Sequence, residues 1–296
     1  VNLAHSVPET QALAIRTSLG TVLHVTDWKL DSEPLVGPAT DEAALRKIGD
    51  EGVLALMCDS TNVFVGGRTG SEGPLRKSLI EVVQNCKNRV AIACFASNVA
   101  RMESAIRVAE ATGRRVALVG RSLWRIAEIA KECGYLENCP EFVDARDIGY
   151  LPRDEVLMLV TGSQGEARAA LARIAADDHP EISLSEGDTV IFSSREIPGN
   201  ERAIGRLKNQ LARLNVEVIN ERDAFVHVSG HPAREELQEL YDWVKPPMLV
   251  PIHGEARHLI EHCKFAGENG IPVTAMAENG EMLRLAPGEP QVLAQV

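Results

Sequence analysis

The stretch DAFVHVSGHP, residues 223–232, sets His227 and His231 four positions apart around Val-Ser-Gly, directly after a charged turn. Imidazoles can exchange a proton near neutral pH or hold a metal ion. In isolation, the plainer account is a strand histidine followed by a loop histidine. His5 in AHSVPE, Asp27 in HVTDWK and His253 in VPIHGE add imidazole and carboxylate donors at strand ends or tight turns. Borderline cations such as Zn²⁺ and Mn²⁺ accept that mixture, and a carboxylate can bridge two of them. Taken singly, each is a weak signal. Asp59 closes the apolar run VLALMCD. It either starts an Asx-turn onto Thr61 or orients a catalytic imidazole by fixing its tautomer. Cys58 before it reads as a small buried residue of a core strand. His24 reads as a strand histidine, and His258 and His262, four apart on a helix, read equally as one solvated face. Five of the eight histidines lie between 227 and 262, which makes the C-terminal region the place to look for imidazole chemistry.

A second pattern suits anions. Four strand ends carry small polar residues: DSTN (59–62), FASN (95–98), TGSQGE (161–166) and FSSREIPGNE (192–201). One such end is ordinary turn chemistry. Together, Ser60, Asn62, Ser97, Asn98, Ser193 and Ser194 read as a cradle for phosphate oxygens, expected to face one cleft, with Arg101 and Arg195 as candidate positive charges beside it.

These residues need elements to hold them. Residues 14–27 alternate like a β-hairpin that ends at Asp27, and a helix over DEAALRKIGDEG follows with Asp41 as N-cap. The strand VLALMCD then stops at Asp59. From about 70 to 220, short apolar β-rich runs alternate with amphipathic helices, among them SLIEVVQNC and EARAALARIAAD. That alternation predicts a doubly wound α/β region with a parallel sheet covered on both faces, in which ligands gather at the carboxyl ends of the strands. The tail adds a helix at AREELQELYDWV, a strand at PMLVPIHGE, a helix at ARHLIEHCKFAGENG and a closing β segment at GEMLRL.

The 296 residues, 45% of them hydrophobic, suffice for one large or two ordinary domains. No run of about eighteen apolar residues occurs and the first residues lack a signal-peptide pattern, so nothing suggests membrane or export. Six cysteines without a C-x-x-C pair point to reduced thiols and a cytoplasmic protein. The net charge of −11 argues against a protein that coats nucleic acid, yet it leaves room for a local basic groove.

Taken as an ordered set, AHSVPE, HVTDWKLD, LMCDSTN, SSREIPGNE, HVSGHP and VPIHGEARH resemble the ribonuclease J family, β-CASP members of the metallo-β-lactamase superfamily, over the whole length of the chain. The resemblance implies a partial metallo-β-lactamase αββα fold in segments 1–69 and 237–296, with an inserted doubly wound parallel-sheet β-CASP domain at 70–236. It implies that His5, Asp27 and His253 ligate metal, with Asp27 bridging two ions. It implies that His231 is the proton donor or stabiliser at the scissile phosphate, that Asp59 orients it, and that His227 and Gly230 shape a phosphate pocket. The cofactor expected is a pair of Zn²⁺ ions in the intact site, or Mn²⁺ or Mg²⁺. The activity expected is 5′-to-3′ exonuclease with some endonuclease cleavage of RNA, preferentially 5′-monophosphorylated, by a homo-oligomer within an RNA-degrading complex.

The superfamily's His-x-His-x-Asp-His motif is absent, so the chain reads as lacking an N-terminal portion and, likewise, the family's C-terminal domain; alone, it is expected to hold two metals poorly and to be inactive. One rival reading is a non-catalytic RNA-binding or scaffold partner that keeps the cradle without a complete metal site. Another, a nucleotide-binding transferase suggested by RRVALVGRS, lacks both G-x-G-x-x-G and the P-loop pattern.

Overall fold

A computed structural model describes residues 1–296. The chain folds into two compact units, one formed by residues 1–32, 37–69 and 230–296, the other by 33–36 and 70–229. No helix is long and apolar enough to cross a membrane.

The first unit opens with β1 (Asn2–Leu3), β2 (Thr10–Gln11), the hairpin β3 (Leu13–Thr17) and β4 (Gly20–His24), α1 (Glu42–Glu51) and β5 (Ala55–Asp59). Asp41 caps α1 as the sequence predicts, its carboxylate accepting from the Ala44 N–H at 2.9 Å.

The second unit runs α2 (Glu72–Gln84), β6 (Val90–Ala93), α3 (Val99–Ala111), β7 (Arg115–Val119), α4 (Arg121–Glu132), β8 (Val156–Val160), α5 (Ala170–Ala175), β9 (Thr189–Phe192), α6 (Glu201–Arg213) and β10 (Glu217–Ile219). Its strands lie in the order β10-β9-β6-β8-β7, all parallel. Successive side chains of a strand point to opposite faces. Ile92 and Leu159 therefore enter a core with Leu79 of α2, Ile106 of α3 and Leu123 of α4, while Ala93 and Met158 meet Ile174 of α5 and Leu207 of α6. This is the doubly wound sheet read from the sequence.

Two helices differ from their expected bounds. Helix α2 starts at Glu72, ahead of SLIEVVQNC, because Pro74 falls in the first turn, where a missing N–H costs nothing. Helix α5 begins only at Ala170. Before it, the Glu166 carboxylate accepts from the Gln164 N–H and the Leu171 N–H donates to the Thr161 carbonyl, so residues 162–169 are spent in turns.

The chain re-enters the first unit with α7 (Arg234–Val244), β11 (Met248–Ile252), α8 (Ala256–Glu268), β12 (Val273–Thr274) and the hairpin β13 (Glu281–Arg284) and β14 (Gln291–Gln295). The main sheet of this unit has the order β12-β11-β5-β4-β3, parallel except for the β3–β4 hairpin. Leu56 and Cys58 face a core with Leu45, Leu240 and Phe265, and Ala55 and Met57 face the smaller cluster of Val250 and Leu283. Gly49 lets α1 lie against α7, since a Cβ there would fall 2.3 Å from the Trp243 carbonyl oxygen. Re-entry lies at Gly230 rather than at residue 237. The cause is a set of hydrogen bonds: the Arg234 and Glu235 N–H groups donate to the carbonyls of Val65 and Gly67 at 3.0 and 3.1 Å.

Candidate functional site

Three adjacent parallel strands of the first unit deliver the site. Register pairs Leu23 of β4 with Leu56 of β5, and Asp59 at the end of β5 with Ile252 of β11. Asp27, Asp59 and His253 thus leave the sheet from its carboxyl ends, where parallel α/β sheets gather ligands. His253 adopts φ +57°, a left-handed conformation that turns the chain sharply after β11. Its Nε2 lies 3.0 Å from the Asp27 carboxylate.

His231 arrives one residue after re-entry. Its carbonyl accepts from Asn62 Nδ2 at 2.9 Å and Thr69 Oγ1 at 2.7 Å, so the residue is pinned by its backbone. Its Nδ1 lies 2.7 Å from Asp59 Oδ2. Burial opposes the charge on Asp59, but the hydrogen bond and charge of His231, with the Thr61 N–H and hydroxyl, outweigh it and hold this carboxyl below its ordinary range. An ionised carboxylate only accepts, so Nδ1 carries the proton and Nε2 is the working nitrogen. Asp59 therefore both builds the Asx-turn onto Thr61, at 2.8 Å to its N–H, and orients the imidazole. The sequence posed the turn and the imidazole as alternative partners for Asp59; both contacts are made.

His5 sits between β1 and β2, with Nδ1 2.8 Å from the Gly230 carbonyl. A carbonyl cannot donate, so Nδ1 again holds the proton and Nε2 the lone pair, the tautomer that a metal-ligating histidine shows when a backbone carbonyl orients it. Burial, with the neighbouring His231, lowers its pKa against the opposing pull of Gly230, Asp27 and Asp59, favouring the neutral ring. Yet the ligand atoms that converge within 4.8 Å of one another belong to Asp27, His231 and His253. His5 is the neighbour of that group: its ring lies 5.7 Å from the His231 ring. The imidazole and carboxylate donors fit a borderline cation, and His231 stands closer to them than the sequence reading, which grouped His5 with Asp27 and His253, implies.

Gly230 is required by this packing, because a Cβ there would fall 2.5 Å from the His5 ring. Gly230→Ala is expected to push the ring aside and weaken zinc binding about 10- to 100-fold, the usual cost of disturbing a ligand's orientation, while the fold persists. Zinc titration monitored by calorimetry, beside a circular-dichroism melt, checks both halves; unchanged affinity would show that His5 has no part in the site.

The expected phosphate cradle is turned inward. Ser60, Asn62, Asn98, Ser193 and Ser194 are all buried, and each side chain has an internal task. Ser60 meets His262, Asn62 holds His231, Asn98 caps α3 by accepting from the Arg101 N–H, Ser193 donates to the Val226 carbonyl, and Ser194 meets Gln164. Ser97 is exposed and His227 half-buried. Arg101 also departs from expectation. It is wholly buried, paired with Glu72 at 3.0 Å and donating to the Ser193 carbonyl at 2.9 Å, so it braces the second unit from inside. Arg195 remains on the surface, 3.7 Å from Glu221.

His262 is the residue the sequence misplaced. It is fully buried and bridges Ser60 Oγ at 2.8 Å and the Tyr241 hydroxyl at 2.6 Å, instead of sharing a solvated face with His258. The signal was its spacing with buried Leu259, Phe265 and Ala266, which marks the core side of α8. Burial lowers its pKa from 6.5 to about 4, with the Asp59 charge pulling only weakly upward. Between those values the unfolded chain binds a proton that the folded chain refuses, so stability is full above about pH 6.5 and falls as pH drops towards 4. The gap is worth about 3 kcal/mol. Urea unfolding at pH 7 and pH 4.5 is expected to show this loss, reduced in His262→Gln; equal losses in both proteins would contradict it.

The family model described as "Ribonuclease J, beta-CASP domain" matches residues 87–211, and that of the "Zn-dependent metallo-hydrolase RNA specificity domain" matches residues 215–276. Ribonuclease J of Sinorhizobium meliloti is 50% identical over 293 residues, covering 99% of this chain and 52% of the relative. The Mycolicibacterium smegmatis protein of the same name is 41% identical, covering 99% of this chain and 53% of its own length. The chain thus spans about half the length of these curated relatives. A crystal structure of a protein of unknown function from Enterococcus faecalis V583 shares the fold with a TM-score of 0.62 at 17% identity, over 99% of this chain and 63% of that one. The parallel-sheet α/β architecture and the matched models fit the metallo-β-lactamase-type fold with its β-CASP insertion.

Proposed function

We propose that this chain, which belongs to the ribonuclease J, β-CASP family, forms part of a metal-dependent ribonuclease whose acid–base residue is His231. The observation that carries the reading is the meeting of Asp27, His231 and His253 at the carboxyl ends of one sheet, with Asp59 behind His231.

Asp27 and His253, with His5 beside them, would hold Zn²⁺, or Mn²⁺ or Mg²⁺ in its place, and such an ion would supply activation of a water for attack on an RNA phosphodiester. The protein's own part is to place a proton. Asp59 holds Nδ1–H of His231, which fixes the tautomer and stabilises the imidazolium. The imidazolium then gives its Nε2 proton to the leaving oxygen. Asn62 and Thr69 keep the ring from retreating by holding the His231 carbonyl. Of the buried strand-end groups Asn62 serves this positioning, whereas Asn98, Ser193 and Ser194 are spent on contacts within the second unit. Ser97 is the cradle residue left as a candidate for contact with a phosphate, beside His227 and Gly230 of the expected phosphate pocket.

The substrate in this reading is single-stranded RNA with a 5′-monophosphate, degraded 5′-to-3′ with some internal cleavage. The protein acts in the cytoplasm, as a homo-oligomer or within an RNA-degrading assembly. Because these residues hold no His-x-His-x-Asp-His stretch, the donors present are expected to bind metal weakly and to support little cleavage by themselves, and the test belongs in the full-length protein. Cleavage of 5′-monophosphorylated RNA should stop in chelator and return with Zn²⁺ or Mn²⁺. Cleavage that persists in chelator and survives His253→Ala would exclude the metallo-nuclease reading.

A further inference from the structure

We infer that the buried trio Ser60, His262 and Tyr241 is a brace that sets the spacing of the site, with His262 as a positioning residue for the Asp59–His231 pair; this rests on the acid–base reading above. Side chains alternate along a strand, and at the end of β5 the alternation divides two tasks. Asp59 turns to His231, and Ser60 turns inward to His262 Nδ1 at 2.8 Å. His262 Nε2 in turn meets the Tyr241 hydroxyl at 2.6 Å. Ser60 and His262 are 0% exposed and Tyr241 4%, so water does not compete for these bonds.

Each member of the brace belongs to a segment that carries a site residue. Ser60 follows Asp59 directly, Tyr241 lies on α7, which follows His231, and His262 lies on α8, which follows His253. One imidazole between two hydroxyls therefore ties together the three segments whose ends must meet. A neutral imidazole has one donor and one acceptor nitrogen, and a hydroxyl answers either, so both nitrogens are satisfied whichever tautomer is present. Apolar packing tolerates sliding, whereas two directional bonds in a dry core do not. The Ser60 N–H donates to the Ile252 carbonyl at 2.9 Å, so the brace grips the residue that closes the β5–β11 pairing just ahead of His253.

Tyr241→Phe and Ser60→Ala each delete one hydroxyl and keep the packing, which makes them the working variants should His262→Phe fail to fold. In the full-length protein, NMR reads solvent exchange of the His231 Nδ1 proton, and single-turnover and steady-state cleavage read kcat and KM. The brace predicts exchange about 10-fold faster and kcat about 10-fold lower, with KM within about twofold. It also predicts that Tyr241→Phe costs less than about twofold in kcat once Asp59→Asn has removed the pair it acts through. Unchanged exchange, or an undiminished kcat loss in the Asp59→Asn background, overturns it. A wild-type protein that cleaves no RNA defeats the ribonuclease reading instead, and proton exchange then decides the brace alone.

Discussion

His231→Ala is expected to lower the single-turnover rate of RNA cleavage by about 10²- to 10⁴-fold in the full-length protein while bound metal changes little. The reason is geometric: Nδ1 of His231 is committed to Asp59 at 2.7 Å, which leaves Nε2 to serve the reacting phosphate. His253→Ala should differ in kind. Its Nε2 lies 3.0 Å from Asp27, and removing one of the three converging donors should release metal and activity together. Asp59→Asn keeps the side chain's shape but withdraws the charge that holds the imidazolium, so it should follow His231→Ala, with metal retained and rate reduced. Metal per chain and cleavage rate, measured side by side for the three variants, check the division. Metal lost from His231→Ala and kept in His253→Ala would reverse it, an outcome made specific by the presence of His231 in the converging group.

Arg101→Ala is expected to destabilise the second unit by about 3–5 kcal/mol, because it leaves the Glu72 carboxylate buried without its partner. Glu72 is 3% exposed, and the guanidinium fork is shared between it and Ser193. Removing both charges should cost far less than removing one, so Glu72→Leu combined with Arg101→Met should restore most of the lost stability. Denaturant unfolding of the single and double variants measures this. A stable Arg101→Ala protein with weakened RNA binding would instead return Arg101 to the role its sequence context suggested, a positive charge offered to RNA.

That reversal shows where reading a sequence stops. The grouping of Asp59, Asp27 and His253 with His231 and His5 was an expectation that rested on the resemblance of the ordered motifs, since singly each was a weak signal. That Asp59, Asp27 and His253 stand at or just past strand ends was legible, because such ends follow from apolar runs of fixed period. The doubly wound sheet was legible for the same reason: β8, VLMLV, is buried at every position, as a strand covered on both faces must be. Arg101 and His262 were not legible. Local sequence shows that a residue is charged or lies on a helix; it does not show what stands opposite. Arg101 lies 29 positions from Glu72 and 92 from Ser193, and His262 lies 202 from Ser60. The cost of burying such groups is met by partners that only the folded chain brings near. The same holds for the serines and asparagines at the strand ends, whose donors could face a phosphate or the protein's own carbonyls. The chain alone determined which chemistry was available and on which elements it would stand. Tertiary structure decided which polar groups were turned to the site and which were consumed in holding it, because a hydrogen bond made inside the fold is a hydrogen bond no longer offered outside.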